Sequence, residues 1–159
     1  MTLPLRYLEN PSQREIEYFI EKWGSKKMIV STGDYSIQTL SCFIYEIDDV
    51  LLGMLSFSET KDTIEIVSLD SSWRNRGIGS SLLRTLENRA EELKKNVQVV
   101  TTNANHKAIK FYERHGYKCV FVFEGAVDEA RKVKPTIPLI EYGIGVHDEL
   151  LYMKNFSEV

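Results

Sequence analysis

"RNRGIGSSLL", residues 74–83, places two arginines and a Gly-Ile-Gly directly ahead of an apolar-periodic run. From Ile78 onward Leu82, Leu83, Leu86, Ala90 and Leu93 recur at three- and four-residue steps, with Arg84, Glu87, Arg89 and Glu91 on the opposite side. That is the spacing of an amphipathic helix. A helix start leaves backbone N–H groups without partners and carries the positive end of the macrodipole. Glycines ahead of it let an anionic group approach the main chain without meeting a Cβ, and arginines add charge-assisted hydrogen bonds. The ligand this pattern suits is a phosphate or pyrophosphate. The same tripeptide returns in "YGIGVH", 142–147, with no arginines and no helical period after it, so it reads as a plain turn.

Working outward, the chain reads as alternating strands and helices. "LPLRYLEN" is a first strand, and "PSQREIEYFIEKW" a helix with Ser12 and Glu15 in capping-box spacing and Ile16, Phe19, Ile20 and Trp23 on one face. Residues 24–38 stay ambiguous between loop and short strand. "TLSCFIYE" and "VLLGMLSFSE" are strands joined at Asp48-Asp49, and "DTIEIVSLD" is a fourth strand. Beyond the long helix come a strand "VQVVTTN", a helix "NHKAIKFYERH" capped by Asn105 and stopped by Gly116, and a strand "YKCVFVF". An irregular segment, 124–148, leads to a closing strand "ELLYMK". Partly hairpin-connected and partly crossing over, these elements make a mixed α/β sheet in one domain spanning residues 1–159.

Composition fits that picture. The chain has 159 residues, 43% hydrophobic and 27% charged, and a formal net charge of −3. This is enough chain for a core without disulfides or metal. The charge leaves no footprint for nucleic acid and favours cationic small partners. No apolar run reaches membrane-spanning length, and the N-terminus lacks a signal-peptide core, so a soluble, cytoplasmic protein is expected, with no membrane partner. Cys42 and Cys119 have no paired spacing and read as free thiols. His106, His115 and His147 lack ligand spacing, so no metal is expected.

Two familiar phosphate motifs fail at the arginine loop. The third glycine of G-x-G-x-x-G is replaced by Leu82, and no lysine stands where a P-loop needs one. No Gly-x-Ser-x-Gly elbow for a serine hydrolase is present either. What remains, Arg-x-x-Gly-x-Gly between strand and helix, resembles the pyrophosphate loop of the GNAT superfamily of N-acetyltransferases. "NHKAIKFYERHGY" resembles the second signature of that superfamily, Asn-x-x-Ala-x-x-x-Tyr-x-x-x-Gly-(Phe/Tyr), with Asn105, Ala108, Tyr112, Gly116 and Tyr117 at the matching offsets. Asn103 is the alternative asparagine. The likeness covers about residues 40–123 well, and the ends only in element order.

The resemblance implies a GNAT-like α/β (α+β) fold: a mixed, mostly antiparallel sheet with splayed central strands and helices on both faces. It implies an acyltransferase that uses acetyl-CoA as cosubstrate and passes its acetyl group to a small-molecule or peptide amine by direct attack on the thioester. Arg74, Asn75, Arg76, Gly77, Ile78, Gly79 and Ser80 would hold the pyrophosphate, and the main chain at Leu69 and the side chain of Asn105 would line the pantetheine. Tyr112 would protonate the departing thiolate; an ordinary core tyrosine is the competing reading. Glu65 would serve as the base that deprotonates the amine, sharing a face with Val67 and Leu69 by strict alternation, unless a bulge reverses it; a surface charge is its competing reading. Asp128, Glu129 and Arg131 read as face charges of a solvated helical turn. Tyr142, His147, Asp148 and Glu149 would line an acceptor site for a cationic amine, with a homodimer contact as the other use of 124–148. A non-catalytic acyl-CoA-binding or regulatory module is the alternative function; it keeps the arginine–glycine loop but has no need of Tyr112.

Overall fold

The computed structural model describes residues 4–72 and 77–157. In chain order the elements are β1 (Leu5–Leu8), α1 (Gln13–Trp23), β2 (Lys27–Val30), β3 (Gly33–Ser36), a 3-10 turn (Ile37–Thr39), β4 (Ser41–Ile47), β5 (Val50–Glu59) and β6 (Thr63–Ser71). There follow α2 (Ile78–Leu93), β7 (Asn96–Thr102), α3 (His106–Arg114), β8 (Lys118–Phe123), α4 (Ala126–Val133), β9 (Ile140–Glu141), β10 (Ile144–Gly145) and β11 (Glu149–Lys154). The fold is mixed α/β, as the element pattern implies, with the mostly antiparallel pairing that the resemblance implies. The ambiguous segment 24–38 becomes β2, β3 and the 3-10 turn.

The chain divides into two compact units: residues 1–29, 34–97 and 155–159, and residues 30–33 and 98–154. In the first, β1, β4, β5 and β6 lie side by side in that order, all antiparallel. The β4–β5 hairpin turns at Asp48 and Asp49, both left-handed with φ 50° and 63°. Two consecutive residues of that hand match the twist of the strands they join.

Each face of this sheet carries a helix. On one face α1 packs Ile16 and Phe19 against Cys42, Ile44 and Met54. Its start is fixed by Glu15, whose carboxylate accepts from the Ser12 N–H at 2.8 Å and the Ser12 hydroxyl at 2.6 Å. Burial raises the proton affinity of Glu15, but the bonds from Ser12 and Arg14 outweigh it and hold its pKa below the usual range. On the other face lies α2, with Leu82, Leu83, Leu86 and Ala90 fully buried, while Leu93, the last of the predicted stripe, is exposed. Gly53 makes this packing possible: a Cβ there would fall 2.6 Å from Ile78 Cγ2 and 3.2 Å from Leu82 Cδ1.

In the second unit β7, β11 and β8 are neighbours in that order, and β11 pairs antiparallel with β8. Segment 124–148 is more ordered than its sequence suggests, holding α4 and the β9–β10 hairpin. That hairpin turns at Tyr142 and Gly143, with φ 51° and 76°, so the second Gly-Ile-Gly is a turn. Arg131 is not the solvated face charge expected of it. Its guanidinium donates to the carbonyls of Ile137, Pro138 and Val146 at 3.2, 2.9 and 2.8 Å and to Asp128 at 2.9 Å. Glu129 pairs with exposed Lys132, as a face charge would.

Candidate active site

The candidate residues of the first unit lie where β6 ends and α2 begins. Arg74, Asn75 and Arg76 lie outside the described residues. Gly77 is the N-cap of α2 and sits in the left-handed region at φ 73°, a conformation only glycine takes without strain. The first intrahelical bond runs from Ser81 N–H to the Gly77 carbonyl at 2.9 Å. The first amides of an α-helix have no intrahelical acceptor as a rule, and the helix dipole makes this end attractive to an anion.

On β6 the strict alternation fails. Phe57 of β5 faces Ile66, but Ser56 faces Ser68, which leaves Val67 as an extra residue. The bulge reverses the side-chain order around it. Glu65, opposite Ser58, therefore shares a face with Ser68 and Asp70, not with Leu69, which pairs with Leu55 on the α2 side. Glu65 is 6% exposed, so it is no surface charge. Beside it, the buried hydroxyls of Ser56 and Ser68 bond to each other across the strands. Glu65, Ser68 and Asp70 thus line the sheet face that carries Met54, which packs in the cluster with α1.

At the end of this row stands a carboxylate that the sequence reading passed over. Trp23 Nε1 donates to Asp70 Oδ2 at 2.6 Å. Burial pushes the Asp70 pKa up to about 6 from 3.8, against the opposing pull of the indole and of the Lys22 ammonium. The spacing of "EKW" at the end of α1 puts Trp23 on the apolar stripe, yet the residue is 41% exposed and its indole N–H reaches this carboxylate. Tyr18 on the same helix is buried, its hydroxyl 3.4 Å from Ser72 Oγ, and burial raises its pKa.

The candidate residues of the second unit lie on α3 and just before it. Asn105 caps that helix, its side chain accepting from Ala108 N–H at 3.3 Å. Asn103 is committed elsewhere: its amide bridges the Gly145 carbonyl at 3.0 Å and the N–H groups of His147 and Asp148, both at 3.0 Å. Tyr112 is 5% exposed, edge-on to Phe111 at 5.2 Å and to Tyr117 at 5.6 Å between ring centroids. Gly116, at φ 89°, ends the helix and turns the chain so that Tyr117 N–H reaches the Tyr112 carbonyl at 3.0 Å.

The four residues expected to line an acceptor site are mostly engaged within this unit. His147 Nδ1 lies 2.9 Å from Asp128, Asp148 accepts from Gly125 N–H at 2.8 Å, and Glu149 accepts from Ser31 N–H at 2.9 Å. Tyr142 is exposed, with the Lys107 ammonium 5.7 Å from its ring. Cys42 is buried and its thiol is pushed up to about 12, whereas Cys119 is exposed. Among the described residues no group of three or more His, Cys, Asp or Glu side chains is placed to hold a metal ion, and no helix is long and apolar enough to cross a membrane.

Antiparallel strands, a glycine-started helix after a bulged strand, and a tyrosine-bearing helix after the next strand define an acetyltransferase class of fold. Residues 8–117 match the model of the Acetyltransferase (GNAT) family, and the chain belongs to that family. It is 38% identical to the uncharacterized protein YxbD of Bacillus subtilis over 143 residues, 88% of this chain and 90% of that one. A GNAT family acetyltransferase from Elizabethkingia anophelis, solved with acetyl-CoA bound, superposes with a TM-score of 0.66 at 14% identity, covering 96% of this chain and 98% of that one. The ribosomal-protein-S18-alanine N-acetyltransferase of Escherichia coli superposes with a TM-score of 0.67 at 14% identity, covering 98% and 96%.

Proposed function

We propose that this protein is an N-acetyltransferase that moves the acetyl group of acetyl-CoA onto a primary amine. The observation that carries the reading is Gly77, left-handed at the start of α2 directly after the arginine loop, within the span that matches the family. In this reading the diphosphate of the coenzyme rests on the amides of residues 77–80, with Arg74 and Arg76 as counter-charges and Asn75 as a further loop contact. Asn105 and the main chain at Leu69 line the pantetheine.

The chemistry follows from the residue types. Glu65 accepts a proton from the acceptor ammonium, directly or through water, and frees the nitrogen lone pair. The amine attacks the thioester carbon, and the Leu69 amide steadies the oxyanion that forms. When the C–S bond breaks, the electron pair leaves on sulfur, and the Tyr112 hydroxyl supplies a proton to the thiolate. Tyrosine titrates near 10 and a thiol near 8.5, so full transfer is uphill by about 2 kcal/mol, a modest cost within a concerted step. Tyr112 then regains a proton from the nitrogen or from solvent. The setting is the cytoplasm, where thiols such as Cys42 and Cys119 stay reduced.

Thermal denaturation with acetyl-CoA tests the binding half. At about 100 times its dissociation constant the coenzyme should add about 2.7 kcal/mol of stability. Thiol release against a panel of amines tests the transfer half. Coenzyme binding with no amine-dependent thiol release would replace the enzyme by an acyl-CoA-binding module.

A further inference from the structure

We propose that the α1-facing side of the β6 end binds a second cationic group of the acceptor, with Asp70 as its counter-ion and Tyr18 and Trp23 as aromatic walls. The acceptor is then a dicationic amine: one nitrogen is acetylated and the other is held. This rests on the acetyl-transfer reading above and names its substrate class.

Three observations support it. Asp70 follows Leu69 directly, and the Val67 bulge places the Asp70 side chain on the same face as Glu65, the residue given the proton-accepting role. The two carboxylates stand opposite Ser58 and Met54, four residues apart on β5 and so about 13 Å along the sheet. Secondly, the indole engages only Oδ2, and Oδ1 receives no hydrogen bond from the described residues. Neighbouring Ser72 and Trp23 are exposed, and Asp70 itself is half-buried. Thirdly, the protein's own Lys22 already shows the chemistry. Its ammonium lies 5.3 Å from the Tyr18 ring centroid and near enough to Asp70 to lower that group's proton affinity. An alkylammonium over an aromatic face beside a carboxylate is a favourable cation–π and ionic arrangement. Lys22 is exposed and can swing aside.

Asp70→Asn separates recognition from scaffolding, because the amide oxygen still accepts from Trp23 while the charge is gone. Full-length protein is assayed with acetyl-CoA and either 1,4-diaminobutane or n-butylamine, which differ by the second ammonium. The expected result is a kcat/KM at least 10-fold higher for the diamine. In Asp70→Asn that preference collapses through KM, with kcat and the KM for acetyl-CoA within about 2-fold of wild type. Lys22→Ala removes the competing cation and lowers the diamine KM. Equal use of the two amines, or an unchanged preference in Asp70→Asn, overturns the proposal. If neither amine is turned over, thermal denaturation of the acetyl-CoA-loaded protein with spermidine decides: a stabilisation lost in Asp70→Asn supports it, and none in wild type overturns it. Failure of acetyl-CoA itself to stabilise the protein sinks the underlying transferase reading, and is seen in a separate titration without amine.

Discussion

Gly53 leaves no room for a side chain beneath Ile78: a Cβ on the glycine would stand 2.6 Å from Ile78 Cγ2. Ile78 is the first residue of α2 and is 3% exposed, so it has nowhere to retreat without moving the helix start. Gly53→Val should cost about 1–3 kcal/mol through overpacking. If the helix start is the diphosphate seat, the same change should weaken acetyl-CoA binding more than 10-fold. Urea melts and coenzyme titration of the variant measure both. A destabilised variant with unchanged affinity would detach the helix start from coenzyme binding.

Tyr112→Phe keeps the ring packed against Phe111 and Tyr117 and removes only the hydroxyl. We expect kcat to fall by about 10²-fold or more, the usual scale for one general acid. The KM for acetyl-CoA should stay within about 2-fold. Stopped-time thiol assays with a good acceptor check this, and a fall in affinity with kcat intact would return Tyr112 to a core role.

Asp70 makes the fold less stable at neutral pH. Its pKa is about 6 in the folded protein against 3.8 for the ordinary group, so between those values the folded state binds more protons than the unfolded one. Stability therefore falls as pH rises through that window, and the cost is complete above about pH 6. Asp70→Asn should be more stable than wild type at pH 8, by at most about 3 kcal/mol, with the gain vanishing below about pH 4. Urea denaturation at pH 4 and pH 8 measures the difference. A variant less stable than wild type at pH 8 would show that the charge is structurally favourable.

Arg131 holds segment 124–148 through three backbone carbonyls that no other described donor replaces in kind. Arg131→Ala should cost about 2–3 kcal/mol and raise amide exchange in β9, β10 and the turn before them. Arg131→Lys should recover little, because one ammonium cannot span three carbonyls as a planar fork does. Exchange mass spectrometry reads the effect locally. Unchanged exchange in the alanine variant would mean the segment is held by other contacts.

Features encoded within a few residues were legible in the sequence. The Ser12–Glu15 box, the Asp48-Asp49 turn, the start of α2 at Ile78 and the Asn105 cap all depend on local spacing, and each appears where the spacing put it. Features set by pairing between distant strands were not. The Val67 bulge exists only against β5, and it alone moves Glu65 off the face of Leu69. Trp23 fitted the apolar stripe of α1, so nothing nearby in sequence announced its partner 47 residues on. Arg131 looked like one charge among several because its three acceptors are main-chain carbonyls, which carry no sequence signature.

The most direct test is a crystal structure of the protein with coenzyme A. The account predicts the diphosphate against the amides of residues 77–80, with the Arg74 and Arg76 guanidinium groups beside it. Coenzyme bound away from the start of α2, or absent at saturating concentration, would contradict it.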